Sequence, residues 1–217
     1  MIIYAIGDIH GKAAMLGAAL TQIKAVITPE DTVVFLGDYI DRGEDSKAVI
    51  DMALDFRTSH ANTVFLRGNH EQMLLDTSKG DGSVYLWVSN GGIQTLASYG
   101  TALTPQEGIW QDAIPDAHLD FFRATQLEWE SDSFHFVHAG LVPPSQRENK
   151  QFHTSCTAFA EPRLWVRDGF INSDEDFGKV VVFGHTIQRS GFPLVMPNKI
   201  GIDTGAFTEG GRLSSFY

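Results

Sequence analysis

The stretch Thr32-Val33-Val34-Phe35-Leu36-Gly37-Asp38-Tyr39-Ile40-Asp41-Arg42-Gly43 joins a short apolar run to a turn rich in glycine and acidic residues. A short, largely β-branched run bounded by turn residues is typical of a buried strand in a parallel sheet. Strands of a parallel sheet bring the turns that follow them to the same edge. The fold class therefore depends on whether other apolar runs in the chain are followed by turns of the same kind.

Four further turns of this kind follow apolar runs. They read Gly7-Asp8-Ile9-His10-Gly11, Arg67-Gly68-Asn69-His70-Glu71, Val137-His138-Ala139-Gly140 and Gly184-His185-Thr186. Each places Asp, Asn or His directly after a predicted strand. If these strands share a sheet edge, the polar side chains of all the turns converge on one site.

The first half of the chain alternates strand and helix patterns. Strands are predicted at Ile2–Ile6, Thr32–Leu36 and Asn62–Leu66, and helices at Lys12–Val26, Ser46–Phe56 and from about His70 to Leu75. Strand–helix–strand units of this kind predict a parallel sheet with right-handed crossovers.

The second half has a different pattern. Strands are predicted at Ser133–Val137, Val180–Phe183, Leu194–Met196, Lys199–Asp203 and Arg212–Phe216, and short helices within Thr104–Gln126. The prediction is an α/β fold, an α+β sandwich of two stacked mixed β-sheets flanked by helices, with a dimetal site in the loops at the carboxyl ends of the strands. Residues 1–217 are expected to form a single catalytic domain.

The composition narrows the class of protein. With 16 basic and 27 acidic residues, the net charge of −11 argues against nucleic acid as a partner. The single cysteine excludes an internal disulfide and a cysteine-cluster metal site. No apolar run approaches the roughly 20 residues that span a bilayer, and Met1–Ile6 lacks the basic residues of a targeting segment. We expect a cytoplasmic monomer with no membrane partner.

The polar side chains of the five turns form a mixed oxygen and imidazole ligand set. They are Asp8, His10, Asp38, Asn69, His138 and His185. This set suits Mn²⁺, Fe or Zn²⁺ better than Ca²⁺. A carboxylate such as Asp38 can bridge two ions, and a two-metal site is suited to in-line attack on phosphorus.

Basic residues beside the ligands would suit a phosphate group. Arg42, Arg67 and Arg167 each carry a guanidinium that can bind two phosphate oxygens, the alternative for any one being a surface salt bridge. His70 and Asp41 together would make a general acid for the leaving group. The alternative for His70 is that it caps or packs the helix that follows.

With these residues, the chain resembles the phosphoprotein phosphatase branch of the calcineurin-like metallophosphoesterases, and most closely its small bacterial and phage members. The shared motifs are Gly-Asp-x-His-Gly, Gly-Asp-x-x-Asp-Arg-Gly, Arg-Gly-Asn-His-Glu, His-Ala-Gly and Gly-His-Thr, with Trp87-x-x-Asn90-Gly91-Gly92, Trp165-x-Arg167 and Ile202-Asp203-Thr204-Gly205. The resemblance extends from residue 3 to about residue 208.

The resemblance implies two divalent ions, with Mn²⁺ expected and Fe or Zn²⁺ as alternatives. It assigns Asp8, His10 and Asp38 to the first ion, and Asp38, Asn69, His138 and His185 to the second. A hydroxide bridging the metals would attack phosphorus, with the three arginines binding phosphate and His70 with Asp41 protonating the leaving oxygen. The segment from about Thr77 to Asp132, where small members differ most, is expected to form a lid that selects the substrate.

The expected function is therefore a metal-dependent phosphomonoesterase, a serine/threonine protein phosphatase that could also act on phosphotyrosine, with a phosphorylated protein, peptide or small phosphate ester as its partner. The first alternative is a symmetrical dinucleoside tetraphosphate hydrolase. Its bases could stack on Trp87, Tyr85, Tyr99 or Trp110, although aromatics in such a segment more often pack in a core. The second alternative, an inactive phospho-binding scaffold, is disfavoured by the intact ligand set.

Overall fold

The computed structural model describes residues 1–80, 84–102, 110–148 and 161–217. The strands are β1 Ile3–Ile6, β2 Thr32–Phe35, β3 Thr63–Phe65, β4 Glu128–Glu130, β5 Phe134–Val137, β6 Val180–Phe183, β7 Leu194–Met196, β8 Lys199–Gly201, β9 Asp203–Thr204, β10 Arg212–Leu213 and β11 Ser215–Phe216. The α-helices are α1 Ala13–Lys24, α2 Ser46–Ser59, α3 Asn69–Lys79, α4 Val84–Trp87, α5 Ile93–Ser98, α6 Asp116–Ala124, α7 Pro162–Trp165 and α8 Asp168–Ile171. A π-helical turn, Val88–Gly92, joins α4 to α5, and short 3₁₀ turns lie at Gln111–Ala113 and Pro144–Gln146.

Two mixed sheets form the centre of the fold. The first has the order β11-β1-β2-β3, in which β1, β2 and β3 are parallel and β11 is antiparallel. The second has the order β4-β5-β6-β8-β7, in which β5, β6 and β8 are parallel and the edge strands are antiparallel. The predicted α/β architecture of two mixed sheets with helices is confirmed.

Side chains alternate between the two faces of each central strand, as the two-residue period of a strand requires. In β2, Val33 and Phe35 face the core beneath α1, α2, α3 and α6, whereas Val34 points to the apolar layer between the sheets. The layer between the sheets consists of Ala5, Val34, Leu36, Leu66, Phe136, Val182, Ile200 and Ile202. On the far side of the second sheet, Phe170 of α8 packs with Phe183.

Several predicted elements are longer, shorter or divided. The predicted helix from His70 to Leu75 begins at Asn69 and continues to Lys79, where Gly80 ends it with φ +79°. The predicted strand Arg212–Phe216 is divided at Ser214, whose carbonyl accepts a hydrogen bond from the Gly7 N–H. As a result β10 pairs with β9 and β11 pairs with β1.

The predicted strand Lys199–Asp203 is divided in the same way, at Ile202. The edge strand β4 was not predicted, because its three residues include two glutamates and give no apolar run. Part of the region expected to contain short helices, residues 104–109, lies outside the described residues, and its remainder holds Gln111–Ala113 and α6. In the part of the chain that the structure describes, no helix is both long and apolar enough to cross a membrane.

Candidate active site

The predicted ligand residues meet where the two sheets face each other at their carboxyl edges. Asp38 lies at the centre and is buried: its Oδ2 is 3.4 Å from His10 Nε2, and its Oδ1 is 3.4 Å from His138 Nε2. Asn69 Oδ1 lies 3.0 Å from both His138 Nε2 and His185 Nδ1. The structure thus brings together side chains that are far apart in the sequence.

Hydrogen bonds from Nδ1 to backbone carbonyls fix the ring orientation of the two histidines beside Asp38. His10 Nδ1 donates to the Ile40 carbonyl at 2.9 Å, and His138 Nδ1 donates to the Leu36 carbonyl at 2.8 Å. Each Nε2 therefore presents a lone pair to Asp38. Burial lowers the pKa of both imidazoles, that of His10 to about 3, although the nearby Asp38 charge opposes this.

The Asp8 carboxylate lies beside the cluster and bonds to the backbone of His185. Its two carboxylate oxygens accept hydrogen bonds from the His185 N–H, at 3.1 and 2.9 Å. Burial raises the pKa of Asp8 well above its ordinary value, and the nearby charges of Asp203 and Asp38 raise it further. Burial also lowers the pKa of His185 well below its ordinary value.

These observations test whether the cluster fits metal ions. Buried carboxylate, amide and imidazole acceptors face one another across short distances, and acceptors so arranged repel unless a cation lies between them. Neutral imidazole and carboxylate oxygen are the donors that divalent Mn, Fe and Zn accept. Within the described ranges, two groups have ligand atoms within 4.8 Å of one another: His10, Asp38 and His70 form the first, and Asp38, His138 and His185 form the second. The residues present fit a dinuclear site.

The backbone at the site is strained. Among the residues that the structure describes, the non-glycine residues with positive φ are His10, Asp38, Asp41, Arg42 and His185. Left-handed conformations cost about 1–3 kcal/mol each outside glycine and persist only where the surroundings enforce them. All five are predicted site residues, so the backbone strain coincides with the turns that carry the predicted site.

Glu71 is the residue that enforces the turn after β2. Its fully buried carboxylate accepts hydrogen bonds from the backbone N–H groups of Asp38 and Gly68, each at 2.9 Å, and of Tyr39, also at 2.9 Å. One side chain at the start of α3 therefore organises two turns that carry predicted ligands. Burial raises the pKa of Glu71, and the Asp38 charge adds to this effect.

His70 and Asp41 form the predicted pair. His70 Nδ1 and Asp41 Oδ2 are 2.6 Å apart and both side chains are buried. His70 Nε2 is buried without a hydrogen-bond partner among the described residues and faces Asp38 Oδ2 at 3.9 Å. Burial alone would lower the pKa of His70, but the Asp38 charge and the bond to Asp41 outweigh it and raise that pKa.

The three predicted arginines lie in different surroundings. Arg42 Nη1 is 3.1 Å from His10 Nε2, and its guanidinium stacks 4.4 Å above the ring of Phe207. Arg167 is exposed and donates to the His185 carbonyl at 3.0 Å. Both border the cluster.

The Arg67 guanidinium points away from the cluster of predicted ligands. Its guanidinium donates to Thr125 Oγ1 and Gln72 Oε1, each at 3.0 Å, and to the carbonyls of Arg123 and Thr125, each at 3.1 Å. These carbonyls lie at the end of α6, where a helix has unpaired acceptors. The expectation that Arg67 binds phosphate therefore has no support in its contacts, which are those of a structural anchor.

Several residues at the site were not predicted from the sequence. Glu71 stands inside a recognised motif, and Asp203 stands in Ile202-Asp203-Thr204-Gly205, so both had a signal. Asp203 is buried, and burial with the Asp38 charge raises its pKa to about 6. Thr95, which bonds to Asp41, and Phe207, which stacks on Arg42, lie outside the motifs and had none.

Comparisons with known proteins agree with this geometry. The family model of the calcineurin-like phosphoesterases matches residues 1–199. Serine/threonine-protein phosphatase 1 of Salmonella typhimurium is 31% identical over 218 residues, covering 98% of this chain and 89% of that protein. The chain belongs to the calcineurin-like phosphoesterases. It is therefore an enzyme, a metallophosphoesterase, of a family that uses a dinuclear metal site.

Two solved structures share the fold. The cold-active protein-tyrosine phosphatase of a psychrophilic Shewanella gives a TM-score of 0.62 at 16% identity, covering 94% of this chain and 71% of that one. A protein provisionally assigned as a diadenosine tetraphosphatase gives a TM-score of 0.58 at 21% identity, covering 99% of this chain and 92% of that one. At these identities the likeness concerns the fold alone.

Proposed function

We propose that this enzyme is a metal-dependent phosphomonoesterase whose substrates are phosphoserine and phosphothreonine residues of proteins, with phosphotyrosine as a further substrate. The proposal rests on the convergence of buried acceptors around Asp38, beside His70 Nε2, which has no hydrogen-bond partner among the described residues. A cation site with a proton donor beside it is what hydrolysis of a phosphate ester requires.

In this proposal Asp8, His10 and Asp38 hold one divalent ion, and Asp38, Asn69, His138 and His185 hold the other. Mn²⁺ is the expected metal. When bound, the ions neutralise charge on the phosphate oxygens and make water a nucleophile near neutral pH.

The protein side chains then orient the ester. Arg42 and Arg167 bind the non-bridging phosphate oxygens, and the stacking on Phe207 keeps the Arg42 guanidinium in place. His70 delivers a proton from Nε2 to the leaving oxygen, while its Nδ1–H remains bonded to Asp41. Arg67 has no part in this step.

Two observations favour a protein substrate over a dinucleotide. The 31% identical relative is named as a serine/threonine-protein phosphatase. Of the aromatic residues that could stack a base, Trp87 and Trp110 are buried with ring centroids 4.9 Å apart, and Tyr99 bonds to His118. Only the exposed Tyr85 remains among these candidates.

We further propose that residues 1–217 form one catalytic domain in which the segment from about Thr77 to Asp132 borders the substrate. Part of this segment lies outside the described residues. Its α4 and α5 pack onto the turn after β2 and provide buried contacts to Asp41.

The test compares substrates side by side. The purified protein with Mn²⁺ is assayed on p-nitrophenyl phosphate, a phosphothreonine peptide, a phosphotyrosine peptide and diadenosine tetraphosphate. We expect turnover of p-nitrophenyl phosphate and the phosphothreonine peptide, abolished by a chelator. Turnover of the dinucleotide alone would replace the proposed substrate class, and no turnover with Mn²⁺, Fe²⁺ or Zn²⁺ would refute the phosphomonoesterase.

A further inference from the structure

Asp41 is held by side chains of α4 and α5 as well as by His70. Trp87 Nε1 donates to both carboxylate oxygens of Asp41, at 3.2 Å to Oδ1 and 3.0 Å to Oδ2. Thr95 Oγ1 donates to Oδ1 at 2.6 Å. Each of these residues is fully buried. The carboxylate that orients the proposed acid is therefore itself oriented by a segment outside the metal-binding turns.

The direction of every bond in this network follows from counting protons. The Asp41 N–H donates to Thr95 Oγ1 at 2.8 Å and to Ser46 Oγ at 3.1 Å. Thr95 has one hydroxyl proton, which goes to the Asp41 carboxylate. Ser46 must then donate across the 3.1 Å to Thr95 Oγ1. With Asp41 ionised, every member of the network has a partner in this arrangement, which holds the plane of the Asp41 carboxylate in place.

The same segment supports the strained backbone of the turn. Asp41 and Arg42 have φ of +72° and +69°. The Arg42 N–H donates to the Gly91 carbonyl at 3.2 Å, and a Cβ at Gly91 would lie 2.6 Å from that nitrogen. Both the partner of the acid and the phosphate-binding arginine thus depend on contacts made between residues 87 and 95.

We propose that Thr95 and Trp87 are positioning residues for leaving-group protonation, acting through Asp41 on His70; this rests on the proposed phosphomonoesterase function. Without the Thr95 hydroxyl, Asp41 Oδ1 loses the shortest hydrogen bond that it accepts, and the Asp41 backbone N–H loses one of its two acceptors. The carboxylate can then rotate, and the His70 ring with it. A displacement of about 1 Å in a reacting group costs on the order of 10²-fold in rate.

The experiment uses Thr95→Val, which keeps the shape and removes the hydroxyl, Thr95→Ser, which restores it, and Trp87→Phe, which removes the indole N–H. Ser98→Ala is the matched control: its hydroxyl lies on the same helix but bonds to the Thr95 carbonyl and the Lys47 N–H. kcat and KM are measured with Mn²⁺ on p-nitrophenyl phosphate, phenyl phosphate and a phosphothreonine peptide, alongside bound metal.

We expect Thr95→Val to lower kcat about 10- to 100-fold on the phosphothreonine peptide, less on phenyl phosphate and least on p-nitrophenyl phosphate, because a good leaving group needs little protonation. KM and metal content stay within about twofold. Thr95→Ser recovers kcat to within about threefold, Trp87→Phe gives a smaller loss with the same substrate order, and Ser98→Ala keeps the wild-type order.

An equal loss on all three substrates, a change in KM alone, or no recovery by Thr95→Ser would overturn the positioning role while the wild-type enzyme remains a phosphomonoesterase. A wild-type protein inactive on all three would instead overturn the proposed function. If Thr95→Val does not fold, Trp87→Phe decides the question by its substrate order.

Discussion

At the scale of single residues, His70 is the side chain whose loss should separate chemistry from metal binding. Its Nδ1 is taken by Asp41 at 2.6 Å, which leaves Nε2 as the atom that delivers a proton. We expect His70→Asn to lower kcat by roughly 10²–10⁴ on an alkyl phosphate, the range for loss of a general acid. Bound metal, measured by elemental analysis, should be unchanged. An unaltered kcat on the alkyl ester would remove His70 from this role.

The contrast between Arg67 and Arg167 gives a second prediction. Arg67→Ala strands the acceptors at the end of α6 and should lower the free energy of unfolding by about 2–3 kcal/mol, with kcat/KM reduced only a few-fold. Arg167→Ala should lower kcat/KM roughly 10- to 100-fold, the value of a charge-assisted phosphate contact, with stability within about 0.5 kcal/mol. Urea unfolding and steady-state kinetics on both variants check the pair. A large loss of kcat/KM with little loss of stability in Arg67→Ala would instead support phosphate binding by Arg67.

Gly184 lies directly against the carboxylate of the predicted ligand Asp8. A Cβ added to Gly184 would overlap Asp8 Oδ1, so Gly184→Ala must displace that carboxylate. We expect metal affinity to fall about 10- to 100-fold, as for disturbed outer-shell contacts, by titration with Mn²⁺. Gly17→Ala is the control, because a Cβ in that helix meets only Met52, no closer than 3.8 Å. Equal affinities in the two variants would show that Asp8 tolerates the shift.

At the scale of secondary-structure elements, Lys199 holds α8 against the second sheet. Its buried ammonium donates to the carbonyls of Phe170 at 2.6 Å and Ile171 at 3.2 Å, at the carboxyl end of α8, and to the next turn at Ser173. Cations stabilise this end of a helix. Lys199→Met should therefore cost about 2–3 kcal/mol.

Thermal unfolding would measure this cost as a fall in Tm of roughly 4–12 °C. Lys47→Met provides the control, because the half-exposed Lys47 only pairs with Asp51 within one helix and should cost about 0.5 kcal/mol. If both substitutions lowered the free energy of unfolding by similar amounts, burial would not strengthen the hydrogen bonds between Lys199 and α8.

Elements of the fold were predictable where local pattern and tertiary role agree. β6 and β7 have the predicted bounds, because their apolar runs end at turn residues. β4 escaped prediction because an edge strand needs no apolar run, and its pairing with β5 depends on a partner chosen in three dimensions. The division at Ser214 likewise depends on which sheet each half can reach.

The residues of the candidate site were likewise predictable where local pattern determined their position and not where tertiary contacts did. The turn motifs predicted which side chains meet, since a parallel sheet gathers them at one edge. They could not predict that Arg67 turns toward α6, because its acceptors lie about 55 residues away along the chain. Nor could they identify Thr95, whose role exists only after α5 packs on the turn after β2.

At the scale of the whole molecule, the predicted ligands come from both sheets: Asp8 and Asp38 from the first, His138 and His185 from the second. Metal binding should therefore stabilise the docking of the sheets. At a free metal concentration 100 times Kd the gain is about 2.7 kcal/mol, or roughly 5–10 °C in Tm for a domain of this size.

A chelator should reverse this gain in a calorimetric scan. The control is Asp38→Asn, which removes the shared ligand charge and should give a Tm that does not depend on metal. A chelator that leaves the wild-type Tm unchanged would contradict a cation joining the two sheets.

β1 cannot pair with β11 until the ribosome has made β11, near the other end of the sequence. Ala5 lies opposite Phe216, so one edge of β1 has no partner until 211 further residues have been made. At about 5–20 residues per second, that interval lasts roughly 10–40 s. An open strand edge is a template for pairing with another chain. We therefore expect neighbouring nascent chains on one polysome to be prone to pairing through this open edge of β1 until β11 has been made.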